Sequence, residues 1–209
     1  METLYSIVEM FYSVQGEGKL VGTPMFFVRL FGCDLSCDFC DEPKHKDSKL
    51  IKRLTADDII NEAKLTNTEW VCVTGGEPSL RPINHLIGKL QDAGLKVAVE
   101  SNGFRPGNIE RADFLTLSPK HPTRLTKIGE RKWDEVKLLI SDEGLHFQLN
   151  DNDQATLDAL FEISESVYVQ PINDADSLNI DNALVAVSFV ESHPETRLSL
   201  QIHKMIGVA

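Results

Sequence analysis

Three cysteines within eight residues constrain this chain more than any other feature. They lie in the run Cys33-Asp-Leu-Ser-Cys37-Asp-Phe-Cys40, directly after an apolar stretch over residues 24–31. Successive side chains of a strand point to opposite faces, so an extended backbone would separate the first cysteine from the last. The thiols meet only if the backbone loops around a common point. The spacing therefore indicates an inorganic centre.

Three interpretations of this centre remain open at the level of the residues. Three thiolates can hold three corners of a 4Fe–4S cluster and leave the fourth iron open for a small chelating ligand. Alternatively, the run is a Cys3His zinc site completed by His45, because structural zinc usually takes four protein ligands at comparable spacing. In the third interpretation the thiols are unconnected core cysteines.

Length and charge narrow the class of protein. The chain has 209 residues, enough for one domain with a substantial core, and no linker divides it, so a single domain over 1–209 is expected. Its formal charge of −11 argues against broad binding to nucleic acid or anionic membranes. No signal peptide, transmembrane run or disulfide framework is visible. We expect a cytoplasmic protein, where thiols and a reducible cluster survive.

Short apolar segments alternate with helical patterns along the chain. Predicted strands cover residues 24–31, 70–74, 96–100, 113–117, 135–140, 167–172 and 197–201, and predicted helices cover 55–67, 79–93, 156–163 and 178–191. This alternation predicts βα units and a parallel sheet. About six units are too few for an eight-unit barrel. The expected fold is therefore α/β, a partial, open barrel of about six parallel strands.

Polar and glycine-rich segments follow the predicted strands repeatedly. They are the cysteine run, Thr74-Gly-Gly-Glu77, Glu100-Ser-Asn-Gly103, Ser118-Pro-Lys120 and Gln170-Pro171. Ligands of α/β proteins bind at the carboxyl ends of parallel strands. One such segment indicates only a turn, but five at matching strand ends predict a site.

Two residues inside predicted strands have distinct interpretations. Arg29 interrupts an apolar strand, and a buried cation needs a partner or a polar cavity, for which an anion is the natural ligand. Cys72 lies within the strand over 70–74 and is expected to be a small buried side chain rather than a ligand.

The cysteine run, with aromatic Phe39 before its last cysteine, resembles the signature of the radical S-adenosylmethionine (SAM) superfamily. The segment Gly75-Gly-Glu-Pro78 resembles the glycine-rich element that lies against the methionine group of SAM in that superfamily. Three further elements narrow the resemblance to the 7-carboxy-7-deazaguanine synthase family: Gln15-Gly-Glu-Gly18, Arg29 before Gly32-Cys33, and Leu198-Ser-Leu-Gln-Ile-His-Lys204. The resemblance extends from Glu9 to the C-terminus.

This resemblance implies an enzyme, a carbon–nitrogen lyase of queuosine-precursor biosynthesis. SAM, bound to the open iron of a 4Fe–4S cluster, receives one electron from a flavodoxin- or ferredoxin-like donor and releases a 5′-deoxyadenosyl radical. The radical takes hydrogen from C6 of 6-carboxy-5,6,7,8-tetrahydropterin. Ring contraction and loss of ammonia give 7-carboxy-7-deazaguanine, and SAM is regenerated. A homodimer is expected, without nucleic acid or membrane partners.

The resemblance also implies roles for particular residues. The cluster ligands are Cys33, Cys37 and Cys40. The residues expected to bind the cofactor are Phe39, Asp41, Gly76, Ser101, Ser118, Pro119, Lys120 and Gln170. The residues expected to bind the substrate are Val14, Gln15, Gly16, Arg29, Thr74 and Ala209, of which Arg29 and Thr74 are also expected to be catalytic, with Arg29 holding the substrate carboxylate.

Glu42 departs from the family pattern. The family usually carries Thr or Ser directly after Cys-Asp, where the hydroxyl binds Mg²⁺ near the substrate carboxylate. A carboxylate is a good ligand for Mg²⁺, so Glu42 is expected to bind the metal, and the alternative is an acid turned into solvent. Two other functions remain: a radical SAM activase of a partner protein, and a zinc-stabilised binding module without chemistry.

Overall fold

The structure, a computed structural model, describes residues 2–149, 152–174 and 177–208. Its strands are β1 (Tyr5–Val14), β2 (Pro24–Leu30), β3 (Lys52–Leu54), β4 (Trp70–Gly75), β5 (Lys96–Ser101), β6 (Phe114–Leu117), β7 (Glu135–Ser141), β8 (Gly144–Leu145), β9 (Val167–Pro171) and β10 (Arg197–Leu198). Its helices are α1 (Ala56–Lys64), α2 (Asn84–Asp92), α3 (Asp153–Ile163), α4 (Ile180–Ser192) and α5 (Ile202–Ile206).

All ten strands belong to one sheet. The order is β10-β9-β7-β6-β5-β4-β2-β1-β3, and β8 pairs with β7 off this path. Neighbours from β2 to β10 are parallel, whereas β1 is antiparallel to both β2 and β3. Within the described residues the two ends of this order do not pair, so the sheet is open. The predicted partial α/β barrel is confirmed, with seven parallel strands because the short β10 adds to six longer ones.

The parallel strands are apolar because both of their faces are covered. In β4, Val71, Cys72 and Val73 are all fully buried, so the interpretation of Cys72 as a small core side chain agrees with the structure. One hydrophobic cluster joins the strands to the buried sides of α1, α2 and α3. It includes Ile59, Val73, Leu86, Val99, Leu115, Leu138 and Leu160.

Helix α1 begins where the sequence predicts. Thr55 caps it, because its hydroxyl accepts a hydrogen bond from Asp58 N at 3.1 Å and the Asp58 carboxylate accepts one from Thr55 N at 2.9 Å. This reciprocal pair satisfies two backbone donors that the first helical turn leaves without partners. Within the described residues, no helix is both long and apolar enough to cross a membrane.

Several predicted boundaries miss by three residues or more, including the end of α1 at Lys64 instead of about 67 and the start of α3 at Asp153 instead of 156. The helix expected over 79–93 begins only at Asn84, because Pro82 disfavours helical dihedrals at Arg81, which is extended (φ −130°, ψ 155°) and ends a 3₁₀ turn over Pro78–Leu80. The last strand, expected over 197–201, ends at Leu198. There the Ser199 hydroxyl donates to the Gln170 side chain at 2.8 Å, so the chain turns toward the strand ends rather than extending the sheet.

Candidate active site

A cavity of about 850 Å³ lies at the carboxyl ends of the parallel strands. Most of the site residues expected from the sequence line it, namely Val14, Gln15, Gly16, Arg29, Cys33, Cys37, Phe39, Cys40, Asp41, Glu42, Thr74, Gly76, Ser101, Ser118, Lys120 and Gln170. Pro119 is buried and is not among the lining residues. Ala209 lies outside the described residues. The strand ends therefore form one site, as their common position in the fold predicts.

The cysteine loop, residues 33–40, is held by the segments on either side of it. Gly32 has φ of 95°, which side chains rarely tolerate. Its carbonyl accepts a hydrogen bond from Glu77 N at 2.8 Å, and its own N–H donates to the His45 carbonyl at 3.0 Å. A Cβ on Gly76 would lie 1.8 Å from Gly32 O. Gly76 therefore allows two loops to touch, a reason that the sequence did not reveal.

All three thiols of the loop face the cavity, and none forms a disulfide. Within the described part of the chain, no three His, Cys, Asp or Glu side chains converge on a single metal ion. Three thiols around one space suit a cluster, in which each thiolate binds a different iron. The donor set therefore fits a 4Fe–4S cluster.

The ends of β4, β5 and β6 are joined beside this loop. Ser101 Oγ donates to Glu77 Oε1 at 2.5 Å, and Asn102 N donates to Glu77 Oε2 at 2.6 Å. Burial raises the pKa of Glu77, and these hydrogen bonds oppose the rise. Ser118 N donates to Ser101 O at 2.8 Å, which aligns the next strand end. These hydrogen bonds from the neighbouring strand end hold the Gly75–Pro78 segment, which the sequence predicts to contact SAM, in position.

Lys120 brings a cation to the same cavity. Its Nζ donates to Ser118 Oγ at 2.6 Å and to Ser118 O at 3.1 Å. Burial lowers the pKa of Lys120 to about 8, and the charge of Cys37 opposes that effect. Within the described residues, Lys120 forms no ion pair with a carboxylate, so it is suited to an anionic group of a ligand.

A first group of charges, which we call the Arg29 triad, consists of Arg29, Glu9 and Glu42. Arg29 Nε donates to Glu9 Oε1 at 2.7 Å, and Arg29 Nη2 lies 3.3 Å from Glu42 Oε2. Thr74 is the register neighbour of Arg29 on β4. The Glu42 side chain is 19% exposed, so it turns toward the cavity and not into solvent. Both sequence interpretations of Arg29 apply, because it pairs with acids and also faces a polar cavity.

A second group, the Lys137 triad, consists of Lys137, Glu17 and Glu100. Lys137 Nζ contacts Glu17 Oε2 and lies 3.1 Å from Glu100 Oε1. Gln201 Nε2 donates to Glu17 at 2.6 Å, and Gln15 Nε2 donates to Glu100 at 3.0 Å. Burial alone would raise the pKa of Glu17, but Lys137 lowers it to about 2. Burial opposes the charge of Lys137, and Glu100 and Glu17 raise its pKa.

The sequence analysis did not select the Lys137 triad, although a signal was present. Lys137 interrupts the apolar strand β7 just as Arg29 interrupts β2. The contact of α5 with Gly16 had no comparable local signal in the sequence. Ile202 N donates to Gly16 O at 3.0 Å, and a Cβ on Gly16 would lie 1.9 Å from His203 Nδ1. Gly16 thus allows α5 to close one side of the cavity.

Sequence and structure comparisons agree with this site. A profile described as the Radical SAM superfamily matches residues 28–140, which includes the cysteine loop and the ends of β2, β4, β5 and β6. The chain therefore belongs to the radical SAM superfamily, whose members hold a 4Fe–4S cluster and use SAM.

Relatives narrow the class further. The chain is 37% identical over 204 residues to a 7-carboxy-7-deazaguanine synthase of Bacteroides thetaiotaomicron, covering 97% of each chain. It is 32% identical to one of Synechocystis, covering 98% of this chain and 93% of that protein. The crystal structure of QueE from Escherichia coli shares the fold, with a TM-score of 0.71, 23% identity and coverage of 95% and 94% of the two chains. Within the superfamily, the chain belongs to the 7-carboxy-7-deazaguanine synthase family.

Proposed function

We propose that the protein is a radical SAM lyase that converts 6-carboxy-5,6,7,8-tetrahydropterin to 7-carboxy-7-deazaguanine with loss of ammonia, for queuosine biosynthesis. One observation carries the proposal: a single cavity joins the cysteine loop to both charge triads. Relatives that are named 7-carboxy-7-deazaguanine synthase over nearly the whole chain support the choice of substrate. The proposal treats residues 1–209 as one catalytic domain.

At the cofactor end, Cys33, Cys37 and Cys40 hold the cluster. When SAM is bound there, it would supply the radical chemistry of the reaction, with one electron from an external flavodoxin- or ferredoxin-like donor. The chain's contribution is to bind and orient SAM. The residues proposed for this are Phe39, Asp41, Gly76, Ser101, Ser118, Pro119, Lys120 and Gln170, and Lys120 supplies the positive charge for a carboxylate.

At the substrate end, Arg29 holds the carboxylate of the pterin. A guanidinium has five N–H donors, and the contacts to Glu9 and Glu42 engage Nε and Nη2, so Nη1 remains for a further anion. Thr74 lies beside Arg29 in register and offers a hydroxyl. Val14, Gln15 and Gly16 line the pterin site, and Ala209 stays in the proposal, although it lies outside the described residues.

The Lys137 triad suits the nitrogen-rich edge of the pterin. Ring N–H and amino groups are hydrogen-bond donors, and Glu17 and Glu100 are acceptors that line the cavity. Lys137 keeps Glu17 charged, because it holds the pKa of that carboxyl at about 2. Charged acceptors make shorter and stronger hydrogen bonds than neutral ones. The two triads would thus bind opposite kinds of group on one substrate.

Glu42 is proposed as a ligand of Mg²⁺. Its carboxylate lies beside Arg29, so it would lie close to the substrate carboxylate that Arg29 holds. Two carboxylates about 4 Å apart repel by roughly 4 kcal/mol at an effective dielectric of 20. A divalent cation between them converts this repulsion into attraction, and carboxylate oxygens are suitable ligands for Mg²⁺.

The test is a turnover assay under anaerobic conditions with SAM, dithionite and the tetrahydropterin. We expect a brown protein that dithionite bleaches, and formation of 7-carboxy-7-deazaguanine with an equal amount of ammonia. Cys37→Ala is the matched control, because it removes one cluster ligand and should abolish both colour and product. SAM cleavage without any deazapurine would refute this substrate and favour the activase, and a colourless zinc protein would favour the binding module.

The proposal also includes a cytoplasmic homodimer. Ile180, Leu184 and Val187 form an exposed apolar stripe on α4, with exposed fractions of 60%, 63% and 37%, which supports a contact between two copies. Light scattering of the wild type and of Leu184→Lys tests the dimer, and a wild-type monomer at micromolar concentration would contradict it.

A further inference from the structure

His45 contacts both ends of the cysteine loop. It lies in a 3₁₀ turn over Pro43–Lys46, directly after the loop, and is only 3% exposed. Its carbonyl accepts the hydrogen bond from Gly32 N, the residue before Cys33. Its ring atom Nε2 lies 3.6 Å from Cys40 Sγ. A buried imidazole is thus placed against one of the three thiols.

The position of the ring proton follows from the surroundings of the two nitrogens. His45 Nδ1 is buried, and within the described residues no other residue is its hydrogen-bond partner. A neutral imidazole carries one N–H donor and one acceptor. A proton on Nδ1 would turn the Nε2 lone pair toward the sulfur, and a cluster-bound thiolate has no proton to donate to it. A proton on Nε2 directs that N–H at the sulfur instead, which is the attractive arrangement.

We propose that His45 Nε2–H donates a hydrogen bond to the Cys40 thiolate and thereby raises the reduction potential of the cluster. The reduced cluster carries one more negative charge than the oxidised one, and a hydrogen bond to a ligating sulfur stabilises that charge. Cys33 Sγ accepts a comparable bond from the backbone N–H of Leu35 at 3.4 Å. His45 provides the side-chain counterpart at the other end of the loop. The inference depends on the cluster and not on the pterin reaction.

The rival role for His45 is ligation of a metal that it shares with Cys40. A shared metal would be bound by lone pairs of both the imidazole and the thiolate, so Nε2 would carry no proton and would not donate to the sulfur. The hydrogen bond requires only the two atoms that are observed in contact. The rival also makes a different spectroscopic prediction, which the experiment uses.

Two variants of the cluster-loaded protein test the hydrogen bond. His45→Leu keeps an apolar side chain in the pocket without a donor, whereas His45→Gln places an amide N–H at a reach similar to Nε2. The measurement is the midpoint potential of the cluster, from redox titration followed by electron paramagnetic resonance, with iron content determined in parallel. We expect a more negative potential for His45→Leu, a potential near the wild-type value for His45→Gln, and full iron content in both.

The matched control is His193→Leu, a histidine substitution at the end of α4 that should leave the potential unchanged. An unchanged potential in His45→Leu, or equal shifts in the Leu and Gln variants, would overturn the proposal. A loss of iron in both variants would also overturn it in favour of ligation.

A measurement on the wild type tests the hydrogen bond without any substitution. In protein labelled with ¹⁵N only at histidine, electron–nuclear double resonance of the reduced cluster reports the nitrogen directly. We expect a small nitrogen coupling, transmitted through the hydrogen bond. A strong coupling, as for an imidazole bound to iron, or no coupling at all would refute the proposal.

Discussion

The Arg29 and Lys137 triads have the same composition and different surroundings. Each places one cation from a parallel strand between two carboxylates. The Arg29 side chain is 15% exposed and its acids 27% and 19%, whereas Lys137 is 5% exposed, Glu17 12% and Glu100 23%. Glu9 also shares its charge with exposed Lys44, while Glu17 and Glu100 receive hydrogen bonds from glutamine side chains.

The difference in solvent exposure shows that one arrangement of charges can serve two purposes. Partly exposed ion pairs contribute little to stability, because water and ions screen them, so one partner can be exchanged for a ligand. In a buried pair each charge depends on the other, because neither can return to water. The Arg29 triad is therefore suited to exchanging one of its partners for a ligand. The Lys137 triad is suited to keeping its charges paired with each other.

The largest expected effect is the loss of stability in Lys137→Met. The substitution leaves Glu17 and Glu100 without their buried cation, and removing one partner of a buried pair costs about 3–5 kcal/mol. Urea unfolding of the cluster-loaded protein measures it. The control is Lys19→Met, which removes an exposed pair with Glu165, 46% and 60% exposed, and should cost at most about 1 kcal/mol. Equal losses of unfolding free energy in the two variants would contradict the distinction between buried and exposed charges.

Acid unfolding examines the Lys137 triad without a mutation. The pKa of Glu17 is about 2 in the folded protein, below its ordinary value of 4.5. Because the folded-state value is the lower one, the stabilisation is fully present above pH 4.5 and is lost as the pH falls toward 2. Lys137→Met removes the main favourable cause of the shift, so its stability should fall less over that range. A parallel fall in both proteins would contradict this assignment.

Arg29→Lys should weaken pterin binding by roughly 10- to 100-fold, the range expected for loss of a charged hydrogen bond of about 1.5–3 kcal/mol. Lysine keeps the charge but has one nitrogen in place of the three of a guanidinium, so it cannot reproduce the contacts to Glu9 and Glu42 together with one to the substrate carboxylate. Binding of SAM should change much less. Calorimetry with each ligand separates these effects, and equal losses for both ligands would indicate general destabilisation rather than exchange at an open triad.

The next effect concerns the metal at Glu42. We expect EDTA to reduce wild-type turnover by about tenfold, because screening at a partly exposed carboxylate lowers the repulsion to roughly 1.4 kcal/mol. Glu42→Thr, which restores a neutral hydroxyl, should respond less to EDTA. Wild-type activity that is indifferent to chelation would exclude Glu42 as a required metal ligand.

The smallest effect on the site itself is expected at Cys72, which lies on β4 between the two triads. Its thiol is fully buried, and burial raises its pKa well above the ordinary value. Cys72→Ala should cost about 1–2 kcal/mol of packing and leave the iron content unchanged. Each of Cys33→Ala, Cys37→Ala and Cys40→Ala should lose the cluster instead. A folded Cys72→Ala protein without iron would refute this difference.

Much of the fold could be predicted, because hydrophobic periodicity is a local property. The strand over 135–140 and the start of α1 at Thr55 follow from patterns a few residues long. The positions of the site residues also followed, since parallel strands end at one edge of a sheet. The false helix start at Ser79 shows the limit of this reasoning. Pro82, which the hydrophobic pattern does not take into account, keeps Arg81 extended, so the helix begins only after it.

The charge partners could not be predicted in the same way. Lys137 carries the same signal as Arg29, a cation within an apolar strand, yet its acids come from residues near 17 and 100, and no periodicity joins those three positions. The role of Gly16 depends equally on distant residues. Its missing side chain makes room for His203, which only the closed fold brings near.

The contact of the C-terminal residues Gln201 and Ile202 with Gly16 and Glu17 also has a consequence for the order in which the site is assembled. Gln201 supplies a hydrogen bond to Glu17, and Ile202 supplies one to Gly16, so this part of the cavity wall is completed by residues that are synthesised long after it. During synthesis the residues nearer the N-terminus leave the ribosome first. On the ribosome, β1 to β9 can pair while this side of the cavity still faces the solvent. Delivery of iron and sulfide before α5 docks would therefore use a wide entrance that later narrows.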